Sequence, residues 1–153
     1  MKSIPLTKGM TALVDDADFD KVNKYKWYVN QHCYAIRVEK GRIIHMHRFI
    51  AGNQPGKVVD HINGNTVDNR RENLRICTNK ENLRNQKIHT NNTTGYKGVS
   101  RFDAKHYQVK IRVNGKLLHI GLFKDLTEAA RAYDEAAKKY HGKFARLNFG
   151  GPK

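Results

Sequence analysis

The stretch Val58–Asn85 constrains the fold of this chain more than any other part of the sequence. Its first residues, 58–62, are a β-branched run that predicts a strand, and the Asn- and Gly-rich segment 63–69 predicts an ordered loop. Residues 74–77 alternate and predict a returning strand, after which Thr78–Glu81 has the capping-box pattern that opens a helix. Together these elements predict a small ββα unit.

Three polar residues of this unit have the chemistry needed for phosphodiester hydrolysis. Asp60 and His61 lie on the first predicted strand, and Asn82 lies in the first turns of the predicted helix. A carboxylate and an amide oxygen suit magnesium, and a neutral imidazole can take a proton from water near pH 7. Taken singly, each residue is better explained as an ordinary polar residue of a turn, helix or surface. The prediction therefore depends on their combination.

The sequence words DHINGN, DNRRENLR and TNKENLRN resemble the HNH endonuclease motif in the form found in phage and mobile-intron homing endonucleases. The resemblance implies that His61 is the general base and that Asn73 fixes the loop and orients this histidine. It also implies that Asp60 and Asn82 hold a divalent ion, Mg²⁺ or Mn²⁺. Asn82 stands where many relatives have a final histidine, which favours these two ions.

Residues 1–57 contain short aromatic and β-branched runs separated by turn signals, which predicts a β meander. The meander should pack against the ββα unit, which alone is too small for a stable core, and Trp27 is expected in that core. A His-Arg pair commonly precedes the Asp-His pair in similar proteins, so His47 and Arg48 are secondary site candidates. They are either phosphate contacts or a strand-end pair that holds the meander to the core.

From Gly95 onward the pattern predicts a separate sheet and helix. Three strand candidates follow one another, with an Asn-Gly hairpin turn at 114–115 between the last two. Tyr107–Val113 alternates, so that one face suits a core and the opposite face is basic. A capping box at Asp125 opens a helix that should end near Tyr140, with an alanine-rich face laid on the sheet.

The sequence words YKGVS, HIGLF, EAARAYDEAA and ARLNF resemble the plant ethylene-response-factor (APETALA-type) DNA-binding domain. The resemblance implies a three-stranded antiparallel sheet, backed by one helix, that lies in the major groove of DNA. By position, the residues implied to face DNA are Lys97, Arg101, Lys110, Arg112 and His119. The tryptophan that this family usually carries is absent, so the family's target sequence is not carried over.

The predicted fold class is α+β, with an N-terminal β meander and a ββα-metal HNH core, then a three-stranded antiparallel sheet backed by one helix. The predicted HNH endonuclease domain is 1–86, with its ββα-metal core at 58–86. The predicted ethylene-response-factor-like DNA-binding domain is 95–153, and the polar segment 87–94 is predicted to link the two.

The chain has 29 Lys+Arg against 14 Asp+Glu, a formal net charge of +15, which suits a polyanionic partner such as nucleic acid. Its two cysteines lie far apart, which excludes a four-cysteine zinc site and does not favour a disulfide framework. No stretch has the pattern of a signal peptide or a membrane span. We expect a cytoplasmic monomer that acts on double-stranded DNA of a phage or bacterial host, without a membrane and with no protein partner evident.

The leading hypothesis is a metal-dependent DNA endonuclease of the homing type, with a site chosen by the C-terminal domain and products that carry 5′-phosphate and 3′-hydroxyl ends. One alternative is a sequence-specific DNA-binding regulator in which the HNH unit is an inactive scaffold. Another is a structured-RNA or ribosomal binder, which the charge alone permits. The sequence leaves open whether one strand or both are cut.

Overall fold

The computed structural model describes residues 1–151, and the chain divides into two compact units. The first unit is Met1–Asn79 and the second is Lys80–Lys153. Each has its own hydrophobic core. The division falls seven residues before the predicted end of the HNH domain at residue 86, so the helix of the predicted ββα unit belongs almost entirely to the second unit. No helix in the described part of the chain is long and apolar enough to cross a bilayer.

The first unit combines small antiparallel sheets with short helices, which confirms the mixed character of the predicted fold class. Its elements in chain order are β1 (Lys2–Pro5), β2 (Thr11–Val14), α1 (Asp16–Val22), β3 (Tyr28–Val29), β4 (Ala35–Glu39), β5 (Arg42–His45), α2 (Met46–Ala51), β6 (Val58–His61) and β7 (Leu74–Cys77). β1 pairs with β2, β3 to β5 form a meander, and β6 pairs with β7.

Helix α2 stands where one of the two alternatives for His47 and Arg48 placed a strand end. The strand stops at His45, and α2 takes up Met46–Ala51. Met46, His47 and Ile50 are all buried. The spacing i, i+1, i+4 lies on one side of a helix, whereas a strand would point the adjacent residues 46 and 47 to opposite faces. The strand-end placement of this pair is therefore wrong.

The core of the first unit joins the hairpin β1–β2, helices α1 and α2 and the meander. Trp27 is buried in it, as expected, and its indole N–H donates to the carbonyl of Val22 at 2.9 Å. A single core thus holds the N-terminal segment together, and its partly buried neighbours include Val67 and Leu74 from the HNH-like region.

Two sets of contacts attach the loop between β6 and β7 to the start of the chain. Arg71 forms a two-pronged ion pair with buried Asp18, with both N–O distances at 2.7 Å. The backbone of Leu13 donates to the carbonyl of Val67 and accepts from the N–H of Asn69, each at 2.8 Å. The acidic patch near the N-terminus and strand β2 therefore hold this loop in place.

The second unit contains one helix before its sheet and one behind it. Its elements are α3 (Asn79–Arg84), which begins at the last residue of the first unit, then β8 (Val99–Arg101), β9 (Tyr107–Val113), β10 (Lys116–Phe123) and α4 (Leu126–His141). The sheet order is β10–β9–β8, all antiparallel. Asn114 and Gly115 form the tight turn between β9 and β10, with φ of 51° and 84°, as the Asn-Gly pair predicts.

Helix α4 starts and stops where the sequence signals place it. The Asp125 side chain accepts a hydrogen bond from the N–H of Glu128 at 2.8 Å, and Gly142 caps the C-terminus with φ of 53°. The alanine face of α4 and Tyr133 pack on the sheet. Gly98, at the entrance to β8, lies so close that an added Cβ would sit 2.0 Å from the Tyr133 ring, so the position requires glycine.

Side-chain amides and a buried carboxylate fix the irregular segments of this unit. Asp134 accepts from the N–H groups of Asn148 and Phe149 at 2.7 and 2.8 Å, and Asn148 bonds both backbone groups of Lys97. In the predicted linker, which has no helix or strand between 85 and 98, the Asn92 side chain donates to the carbonyls of Tyr96 and Val99. The segment is thus anchored at Asn92 by specific hydrogen bonds.

Candidate active site

Asp60 and His61 are neighbours on β6, where they pair across the sheet with Arg75 and Leu74 of β7. The Asp60 carboxylate is buried, and the Arg75 guanidinium donates to its Oδ2 from Nε at 2.9 Å and from a terminal nitrogen at 2.6 Å. The ion pair holds this carboxylate in a fixed direction, one residue before His61.

The His61 imidazole is only 4% exposed and lies against Asn69, which is fully buried. His61 Nε2 is 3.2 Å from Asn69 Oδ1, and Asn69 Nδ2 donates to the carbonyl of Val67 at 3.3 Å. Because that carbonyl can only accept, the amide oxygen is the atom that faces the imidazole, and Nε2 must be the donor. The neutral ring therefore carries its lone pair on Nδ1.

Burial lowers the pKa of His61 below its ordinary value of 6.5. The hydrogen bond to Asn69 and the charges of Asp60 and Asp68 oppose that shift. The net direction favours the uncharged ring, which is the form that a general base needs at neutral pH.

Asn73 holds the loop between β6 and β7 closed. Its side-chain oxygen accepts from the N–H of Asn63 at 2.9 Å, its amide donates to the carbonyl of Asp68 at 2.7 Å, and its backbone carbonyl accepts from Ile62 at 2.8 Å. The loop also uses the Asp68–Arg70 ion pair at 2.7 Å. These contacts keep Asn69, four residues earlier, beneath the imidazole.

Two further histidines and a tyrosine pack around His61. The ring centroids of His47 and His61 are 5.0 Å apart, those of His45 and His47 are 5.1 Å apart, and Tyr34 lies within 6 Å of each. His47 is 5% exposed, and its Nδ1 has no hydrogen-bond partner among the described residues. Burial, followed by His61, His45 and Arg48, lowers the pKa of His47 to about 3. Of the secondary pair, His47 thus contacts the candidate base, whereas Arg48 is exposed.

Asn82 lies in α3 and is partly buried within the second unit. Among residues 1–151, no group of three or more His, Cys, Asp or Glu side chains is arranged to hold a metal ion. The predicted pair needs no such group, because it supplies one carboxylate and one amide oxygen, and hard oxygen donors of this kind fit Mg²⁺. The donor chemistry of Asp60 and Asn82 therefore suits the implied ion.

Strand register separates the five residues predicted to face DNA. Lys110 pairs with His119 across β9 and β10, and Arg112 pairs with the exposed Leu117, so these side chains share the sheet face opposite α4. Arg101 pairs instead with Tyr107, on the face that packs toward α4, and its guanidinium carbon lies 5.1 Å from that ring. The outer face therefore brings together three of the five.

Lys97, the remaining predicted DNA contact, is turned into the unit. Its ammonium donates to the carbonyl of Arg84 at 2.7 Å and to that of Gln86 at 2.6 Å. Burial and the charge of Arg146 lower the pKa of Lys97 to about 8. The Lys97 ammonium is thus directed toward α3 and the residues after it, and not along the outer sheet face with Lys110, Arg112 and His119.

Sequence reasoning missed Asn69 and the packing of His47. Asn69 belongs to the DNRRENLR word, but nothing in its spacing shows that it contacts His61, because that contact depends on β2 and on the closed loop. A signal for α2 does exist, since Met46, Phe49 and Ile50 recur at helical spacing. That period would have placed His47 on a helix and on its inner side.

Comparison with known proteins identifies the same region. A family model described as HNH endonuclease matches residues 44–84. An uncharacterized HNH endonuclease of Acanthamoeba polyphaga mimivirus is 31% identical over 147 residues, covering 92% of this chain and 76% of the relative. Protein 3.8 of Escherichia phage T7 is 33% identical over 107 residues, covering 67% of this chain and 88% of the relative. The chain belongs to the HNH endonuclease family.

Proposed function

We propose that the chain is a divalent-metal-dependent DNA endonuclease of the homing type, which hydrolyses phosphodiester bonds at a site selected by its C-terminal sheet. Membership of the HNH endonuclease family supports a nuclease. The observation that carries the catalytic assignment is the buried His61 imidazole beside Asp60, with its Nε2 hydrogen-bonded to Asn69. The assignment of His61 as the general base follows because its imidazole is kept neutral and is held in one orientation.

His61 accepts a proton at Nδ1 from the water that attacks the phosphorus. When the ring becomes positively charged, its Nε2–H becomes a stronger donor, and the contact with Asn69 Oδ1 strengthens. Asn69 therefore stabilises the protonated ring more than the neutral one, which is the differential interaction that lowers a barrier. Asn73 acts through the loop that carries Asn69.

Asp60 and Asn82 would hold the divalent ion, Mg²⁺ or Mn²⁺. When bound, such an ion stabilises negative charge on the leaving 3′-oxygen. Arg75 fixes the direction of the Asp60 carboxylate through its two hydrogen bonds to Oδ2. The water that His61 deprotonates bonds to phosphorus, the bond to the 3′-oxygen breaks, and that oxygen takes a proton from solvent, which gives 5′-phosphate and 3′-hydroxyl ends.

The second unit provides most of the binding to double-stranded DNA. It has 16 Lys+Arg against 6 Asp+Glu, whereas the first has 13 against 8. Its outer sheet face presents Lys110, Arg112 and His119, and a β-sheet fits the major groove. An ethylene-response-factor-like docking of this face, with the domain at 95–153 and its connection at 87–94, explains why the charge is concentrated there.

A second candidate function is a DNA-binding regulator whose HNH unit is an inactive scaffold. The observation that favours it is the Asp60–Arg75 pair, because a carboxylate already neutralised by a guanidinium attracts a cation less strongly. Both candidates bind DNA, and they differ only in cleavage.

Cleavage of plasmid and phage DNA with Mg²⁺ or with EDTA separates the two candidates. The wild-type chain should cut only with the metal and leave 5′-phosphate and 3′-hydroxyl ends, and His61→Ala should lose cleavage by at least ~100-fold while it keeps DNA binding. The matched control is His32→Ala, which removes an exposed histidine of the same unit. Retained nicking by His61→Ala, or no metal-dependent cutting by the wild type, would overturn the proposal.

A further inference from the structure

The second unit contains an open cavity of about 900 Å³. One wall is formed by α3 and the segment that follows it, and the opposite wall by the start of β8, the end of β9 and the face of α4 around Tyr133 and His141. Cavities of ~300–1,000 Å³ are the usual size of small-ligand sites. The space is therefore large enough for a ligand and lies within one compact unit.

The charge of the cavity has one sign. Among the described residues that line it there is no Asp and no Glu, whereas six are Lys or Arg: Lys80, Arg84, Lys87, Lys97, Lys110 and Arg112. The last two also belong to the outer sheet face, and the other four belong to the cavity alone. Like charges around a confined space repel one another, and a bound anion relieves that repulsion. The lining therefore favours an anionic ligand.

Lys97 gives the cavity a pre-positioned cationic group. Its ammonium is held by the carbonyls of Arg84 and Gln86, at 2.7 and 2.6 Å. An ammonium has three N–H donors, so one is left for a ligand atom after these two hydrogen bonds. Because the two carbonyls already hold the ammonium in place, binding a ligand to it costs little further side-chain conformational entropy.

Part of the wall is apolar. Leu83 and Ile88 are 57% and 40% exposed although both are large and apolar, and they border the cavity together with Tyr133. Exposed apolar side chains beside lysines match a ligand with one charged end and one flat, weakly polar end. Asn92, which bonds the carbonyls of Tyr96 and Val99, fixes the segment on which Ile88 stands.

We propose that this cavity binds one nucleotide unit, with its phosphate among the lysines and its base against the apolar wall, and that single-stranded DNA supplies it. The choice of DNA as the source rests on the proposed function. Helix α3, which forms one wall, also carries Asn82, and a helix is only ~10–12 Å across. A nucleotide held here would lie close to the residue that we assign to the metal. A free nucleotide shares the same chemistry, and the experiment distinguishes the two sources.

Binding is measured by fluorescence anisotropy with the full chain carrying His61→Ala, in EDTA, so that no cleavage occurs. The probe is a short labelled single-stranded oligonucleotide, and the competitors are dAMP and the same oligonucleotide without its label. Lys87→Glu reverses a charge at the cavity, and Lys139→Glu makes the same charge change at an exposed site of α4 that does not line it. We expect Lys87→Glu to weaken binding about tenfold and Lys139→Glu less than about twofold.

Three outcomes decide the inference. Competition by dAMP that is lost in Lys87→Glu supports the cavity with a free nucleotide as its ligand, and competition by the oligonucleotide alone supports the strand. Equal losses in the two lysine variants would show dispersed charge and overturn the proposal. Because no step here needs cleavage, an inactive wild-type enzyme contradicts the proposed function and leaves this measurement valid.

Discussion

The two units differ in how they use most of their ionisable groups. In the first, carboxylates and histidines are buried and paired: Asp18 with Arg71, Asp60 with Arg75, Asp68 with Arg70, and His47 against His61. In the second, the core is mainly alanine, valine and tyrosine, and most of the excess positive charge is exposed. Burying a charge costs free energy. In the first unit, burial also fixes the orientation of these side chains and lowers the pKa of the buried histidines. The exposed positive charges of the second unit suit attraction and binding of a polyanion such as DNA.

The largest expected difference between the units is in acid stability, and it involves His47. Its pKa is about 3 in the folded chain, against ~6.5 when unfolded. As pH falls, the unfolded chain therefore takes up the proton at a higher pH than the folded chain does. The free energy of unfolding has its full value above pH 6.5 and decreases as pH drops toward 3. The unfolding equilibrium constant should rise by up to about tenfold per pH unit. Trp27 is the single tryptophan, and its fluorescence during urea unfolding reports on the first unit.

The variant His47→Phe keeps an aromatic ring beside Tyr34 and His61 but cannot titrate. Between pH 7 and 5, its free energy of unfolding should depend less on pH than that of the wild type. Some dependence should remain, because burial also lowers the pKa of His61. The control His32→Phe changes an exposed histidine and should keep the wild-type slope. Equal slopes in all three would contradict the assignment to His47.

The next largest effect is expected at Asn69, which links the buried network to chemistry. Asn69→Ala removes the acceptor at His61 Nε2 and should lower kcat about 10- to 100-fold, with little change in KM or DNA affinity. Asn69→Asp restores an acceptor oxygen and should recover most of the activity. ¹⁵N spectra of His61 should show the Nε2–H tautomer in the wild type and a mixture in Asn69→Ala. If alanine and aspartate behave alike, Asn69 has only a structural role.

The last prediction tests the exposed side of the comparison. Arg112→Ala should weaken and broaden recognition of duplex DNA by ~1–3 kcal/mol, the range for an arginine–guanine contact. Arg101→Ala is the matched control, since it removes the same group from the sheet face that packs toward α4. Binding measured on target and scrambled duplexes should change more for Arg112→Ala. Equal effects would mean that the outer face does not read the site.

Local signals were sufficient where structure depends on neighbours in sequence. The Asn114–Gly115 turn, the cap at Asp125 and the end of α4 at Gly142 follow from backbone preferences of a few residues. The placement of Asp60 and His61 on a strand followed from a β-branched run. Each of these features is set within about four residues, so pattern and propensity predict it.

Contacts between distant segments were beyond that reach. The His61–Asn69 hydrogen bond needs β2 to hold the loop. Lys97 turns inward because two carbonyls more than ten residues earlier accept hydrogen bonds from its ammonium. Arg101 changes face because register, rather than residue type, decides where a strand residue points. The residue types of the candidate site were thus predictable, but which of them meet was not.

The hydrogen bonds between Lys97 and Asn148 have a consequence for how such proteins can be recombined. Asn148 binds both the N–H and the carbonyl of Lys97, at 2.7 and 3.2 Å, so the beginning and the close of the sheet-and-helix module lie side by side. A module whose two ends meet can be cut out and spliced into a loop of another protein without stretching either chain. The stretch 96–149 is therefore suited to grafting into a loop of another protein, and the Asn148 side chain holds its two ends together.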